Sequence, residues 1–85
     1  MRNEFANNYR MSQDISLNLL AIVFYRERRY ADALALLERA YKQTVAFHAP
    51  APVVKQIVDN GRAVSISIGD DAAIEVWSQR SATLN

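Results

Sequence analysis

The stretch NLLAIVFYRERRYADALALLERAYKQ, residues 18–43, constrains this chain more than any other. Every residue from Leu19 to Tyr25 is apolar, charged residues fill 26–29, and an alanine-studded amphipathic run begins at Tyr30. Ser12 or Asp14 is a suitable N-cap, and no glycine or proline follows before Arg28, so residues 14–28 are predicted as a helix. A helix that is apolar on nearly all sides must be covered on nearly all sides. What covers this one decides what the chain does.

Tyr30, Ala33, Leu34, Leu37, Ala40 and Tyr41 recur at i, i+3, i+4, i+7, i+10 and i+11, a continuous helical stripe. The spacing predicts a second helix over 30–46, with Glu38 and Lys42 as a favourable i, i+4 pair. Pro50 and Pro52 stop it, since each disfavours helical geometry in the residue before it and donates no backbone hydrogen bond. Before the first helix, Phe5, Ala6 and Tyr9 share one side of a short helix weakened by Asn7 and Asn8.

The last third admits two readings. Val53, Val54, Ile57, Val58, Gly61, Val64 and Ile68 fit one helical face, and Ala73, Val76 and Trp77 fit another after a Gly-Asp-Asp break. This gives a second helical hairpin over 52–80 and an all-α fold. In the alternative, Val64, Ile66 and Ile68 alternate with Ser65 and Ser67 between turn dipeptides, which makes residues 63–77 a β-hairpin in an α+β fold. The helical reading is preferred because the preceding hairpin sets the context.

With 85 residues the chain reads as one small domain, which buries only about 60% of the surface its unfolded form exposes. Ten Lys and Arg against nine Asp and Glu give a net charge of +1, so electrostatics provides no drive toward nucleic acid or an acidic membrane. Without cysteine there are no disulfides and no thiolate zinc sites. The first residues lack a signal peptide's apolar run, and Leu19–Tyr25 falls far below the ~18 residues that span a bilayer. A cytoplasmic protein is the expectation.

Residues 14–47 resemble a tetratricopeptide repeat (TPR), a helical hairpin of about 34 residues with the pattern W-x2-L-G-x2-Y, then A-x3-F, then proline. The corresponding residues are Leu17, Leu20, Ala21 and Phe24, then Tyr30, Ala33, Leu37 and Ala40. Small residues (Ala21, Ala33, Ala40) let two antiparallel helices approach, while large ones (Leu17, Leu20, Phe24, Tyr30, Leu37) fill the gap between them. Leu17 and Ala21 replace the tryptophan and glycine, and the closing proline arrives late, at Pro50. GDDAAIEVWSQ is similar to the family's GDYEEAIEYYEK with one residue deleted, placing Ala73 and Trp77 where Ala33 and Leu37 stand in the first copy. A generic antiparallel helical hairpin with small residues at its crossing accounts for the same pattern.

The resemblance implies that Ile15, Asn18, Ile22 and Tyr25 line a concave groove that binds a partner helix or extended peptide. Alternatively, Phe5 and Tyr9 fold back over that face, since large apolar patches are rarely left exposed. With Asn18 and Ile22 but no lysine on it, a carboxylate clamp is not expected; an apolar groove is similar to that of small TPR-like secretion chaperones. The expected function is a protein–protein interaction module, an adaptor or small chaperone, acting as a homo- or hetero-oligomer away from membranes. The alternative is a nucleic-acid-associated regulator using Arg26, Arg28 and Arg29, disfavoured because Glu27 lies among them. No cofactor, metal or catalytic residues are expected: His48 reads as a loop histidine and Asp70 and Asp71 as a helix cap.

Overall fold

The computed structural model describes residues 16–84. Among them α1 covers 16–26, α2 Tyr30–Ala46, α3 Ala51–Ile68 and α4 Asp71–Thr83, with no strand. The all-α expectation holds, and α2 has the predicted bounds. Phe5, Tyr9 and Ile15 lie outside the described residues. The helix α1 ends at Arg26 rather than residue 28, because Arg28 adopts a left-handed φ of 63° that no continuing helix accommodates.

The β-hairpin alternative at 63–77 is overturned, and the serines explain why. Ser65 Oγ donates to the Gly61 carbonyl at 2.8 Å and Ser67 Oγ to the Ala63 carbonyl at 3.1 Å, the i−4 bonding available only on a helix. Alternation is not used: Val64 and Ser65 are both buried, whereas Ile66 and Ile68 are both exposed. Pro52 sits in the first turn of α3, where its missing N–H costs nothing. Gly69 closes the helix at φ 77°, its N–H directed at the Ser65 and Ile66 carbonyls. Asp70 then caps α4 by accepting from the Ala73 N–H at 3.2 Å, the role predicted for the Gly-Asp-Asp break.

The core takes Ala21 from α1, Ala33, Leu37 and Ala40 from α2, Val54, Ile57, Val58 and Val64 from α3, and Trp77 from α4. Leu17, Phe24, Tyr30 and Leu34 pack against it. Leu20, expected in the gap between α1 and α2, is instead 43% exposed. Ala73 and Trp77 stand to Gly61 in α3 as Ala33 and Leu37 stand to Ala21 in α1, with identical spacing. A β-carbon on Gly61 would lie under 3.0 Å from ring atoms of Trp77, so only glycine admits the indole against the α3 backbone.

Three polar links show how the hairpins stack. Asn60 Nδ2 donates to Asn18 Oδ1 at 2.9 Å, Tyr25 and Ser67 share a hydrogen bond of 3.0 Å, and Arg80 binds Glu38; each pair is separated by 42 residues. A constant difference means helices running in the same direction, since an antiparallel pair keeps the sum constant instead. Thus α3 lies parallel to α1, and α4, packed on α3, reaches α2 through side chains, one hairpin repeated beside the other.

Sequence reading assigns Glu38 to Lys42; the structure gives it to Arg80. The guanidinium donates through Nη1 and Nη2 at 2.6 and 2.8 Å and stacks over the rings of Tyr41 and Trp77, 4.1 and 4.6 Å from their centroids. The hydrogen bond from Arg80 holds the Glu38 carboxyl below its ordinary value of 4.5, against the opposing effect of burial, and raises Arg80 in return. Because the folded carboxyl binds its proton less tightly than the unfolded one, the contribution is complete above the ordinary value and lost as pH falls through the lower, folded one. Glu38→Gln is expected to cost on the order of 1–2 kcal/mol at neutral pH in urea titrations, between an exposed and a buried pair. The gap to wild type should close in acid; no gap at neutral pH would assign the stabilisation to Arg80 stacking alone, and a gap independent of pH would mean that the carboxylate charge is not its source.

Candidate functional site

Between α1 and α3, above Leu37 of α2, lies a cavity of about 90 Å³. Ala21, Ile22 and Tyr25 form its α1 wall, and Asn60, Ala63 and Val64 its α3 wall. The parallel register brings these walls together, and their small side chains keep them from filling the space. Ala21 and Ala63 leave room that a leucine in either place would occupy. Tyr25 stands at this α1–α3 contact, its ring 5.4 Å from that of Tyr30. Since Ser67 gives its hydrogen to Ala63, the Tyr25 hydroxyl is the donor to Ser67.

Of the predicted groove residues, Ile22 and Tyr25 line this cavity. Asn18 is buried, 6% exposed, and its amide oxygen is consumed by Asn60 in the contact between α1 and α3. Ile15 lies outside the described residues. The opposite wall was not legible: Asn60, Ala63 and Val64 come from a helix whose pairing with α1 leaves no mark on local periodicity. Repeating the spacing of the first hairpin onto the second is the one signal that leads to them.

Chemically the cavity is an apolar receptacle, with Asn60 and Tyr25 as the residues of its lining that carry polar groups. It suits an aliphatic side chain rather than a charged or strongly hydrated group. A shallower depression runs between α2 and α4 over Leu34, Ala35, Val76 and Trp77. Among the described residues no three of His, Cys, Asp and Glu form a metal-sized cluster, and no helix is long and apolar enough to cross a membrane.

The basic turn has its own internal order. Arg29 contacts Asp32 at 3.0 Å and Glu27 at 3.9 Å and lies over the Phe24 ring, 4.2 Å from its centroid. Arg26 and Arg28 are exposed. His48 is exposed in the α2–α3 connection with φ 52°. Comparison with protein-family models, curated proteins and solved structures finds no match to this chain.

Proposed function

We propose that this chain is a TPR-like protein–protein interaction module, an adaptor or small chaperone that seats an aliphatic side chain of a partner helix or peptide between α1 and α3. The observation that carries the reading is the apolar cavity against Ile22 and Tyr25, on the α1 face that the family resemblance implies for binding. Two parallel helices with a hole between them offer a ready seat for an anchor residue. Arg29 spends its charge within its own turn, so the nucleic-acid alternative gains nothing from it.

The test is a displayed-peptide selection on the full chain, followed by affinity measurement against two variants. Ile22→Asp puts a charge where apolar area must be desolvated, and Ala63→Trp fills the cavity from an exposed position. Both are expected to weaken selected peptides by roughly 30-fold or more, equivalent to a ~2 kcal/mol hot spot, while helicity by circular dichroism is kept. Equal binding by wild type and both variants would reject this site.

A further inference from the structure

The cavity between α1 and α3 has a frame as well as a lining. Two of its lining residues are each hydrogen-bonded to the opposite helix, Asn60 to Asn18 at 2.9 Å and Tyr25 to Ser67 at 3.0 Å. Along α1 these bonds leave from residues 18 and 25 and along α3 from 60 and 67, with Ala21 and Ala63 between them. Seven residues of helix rise about 10.5 Å. The cavity is thus bounded lengthwise by two cross-links, sideways by two helices and below by Leu37.

Packing alone gives no reason for such a frame. Helices that meet through alanines can approach to the short end of the ~8–10 Å interaxial range, and closing up would remove a hole that costs stability in proportion to its volume. Asn18 is buried, and a buried amide is itself costly unless it is bonded. What the longer side chains of Asn60 and Tyr25 do is bridge the helices on both sides of the alanine level, each bond setting one distance across the gap. Tied at two levels, the walls neither close onto the hole nor spread from it.

Size then decides what enters. An apolar cavity of about 150 Å³ takes up benzene. This one is about 90 Å³, short of an aromatic ring but matched to the isopropyl or butyl group of Val, Ile or Leu. We propose that Asn18–Asn60 and Tyr25–Ser67 are positioning pairs that hold the cavity at a fixed width, so that it admits one branched aliphatic side chain of a partner and rejects an aromatic ring. The identity of that anchor rests on the peptide-binding reading, whereas the size limit of the hole belongs to the fold and is tested without a peptide.

Methyl NMR signals of Ala21, Ile22, Ala63 and Val64 in the full chain are expected to shift under xenon, a single atom, and to stay in place with benzene. Peptides selected by display should carry Val, Ile or Leu as the anchor whose binding Ala63→Trp blocks, and exchanging that anchor for Phe should weaken wild-type binding roughly tenfold or more. Tyr25→Phe and Ser67→Ala each remove one cross-link at an exposed hydrogen bond, so melting points should hardly move. In both variants benzene should begin to shift the same methyls, and the penalty for Phe should fall to about threefold or less. A Phe penalty unchanged in both variants would overturn the positioning role. Benzene entering the wild type, or xenon leaving these methyls unmoved, would overturn the size limit. Xenon uptake with no peptide that Ala63→Trp blocks would reject the peptide-binding reading, and the anchor with it, while upholding the size limit.

Discussion

Trp77→Ala is expected to remove most of the stability of this domain. The indole is 2% exposed, meets Tyr41 edge-on at 5.9 Å, lies beneath Arg80 and fits against Gly61. Truncating a buried aromatic costs about 3–5 kcal/mol through lost transfer energy and the cavity left behind. The stacking platform of Arg80 goes with it, another ~0.5–1 kcal/mol. At roughly 0.05–0.15 kcal/mol per residue a chain of this size holds on the order of 4–13 kcal/mol in total. Far-UV circular dichroism should therefore show the melting point falling by roughly 14–48 °C. A fall below about 5 °C would mean that Trp77 is not the keystone between α3 and α4. Trp77→Phe, which keeps a ring but not its full area, should fall between wild type and alanine.

Gly61→Val is expected to be the next most damaging change, for the opposite reason, excess volume. Its β-carbon alone would intrude on the indole, which Tyr41 and Arg80 flank, so the ring must shift against those neighbours to admit it. Overpacking of this kind costs about 1–3 kcal/mol, and the valine branches take the expectation to the upper end. Gly61→Ala separates two effects, since alanine gains about 1 kcal/mol of helix propensity yet meets the same ring. A net loss identifies close approach as the purpose of the glycine; a net gain would show that the indole yields. In a Trp77→Leu background the valine should cost much less, a non-additivity expected only if the two positions touch. Chemical denaturation of the four proteins in that cycle measures the coupling directly.

The helices were legible because their evidence is local. The stripe from Tyr30 to Tyr41 marks α2 from its first residue, Pro50 and Pro52 punctuate the α2–α3 connection that ends it, and Gly69 and Asp70 mark the last turn. Local evidence also misleads. The alternation of Val64, Ile66 and Ile68 with two serines imitates a strand, and it is resolved only because Ser65 and Ser67 bond back to carbonyls four residues earlier. Leu20 shows the same weakness, since its spacing assigns it to the helix gap while packing leaves it exposed.

Half of the candidate cavity was visible in the same way, because Ile22 and Tyr25 belong to one helix and share one face. Its other half required knowing that α3 lies parallel to α1, and so did the fate of Asn18, whose amide is spent on Asn60 rather than offered to a partner. Glu38 makes the point in charge: Lys42 is its neighbour in sequence, but Arg80 reaches it with two hydrogen bonds over a platform of two rings. The amino-acid order alone determined the helices, their caps and the small residues where they cross, since these follow from φ, ψ preference and periodicity within a few turns. Only the tertiary structure decided which faces pair and where the hole between them lies, because those outcomes depend on residues 42 apart arriving at one place and competing for the same neighbours.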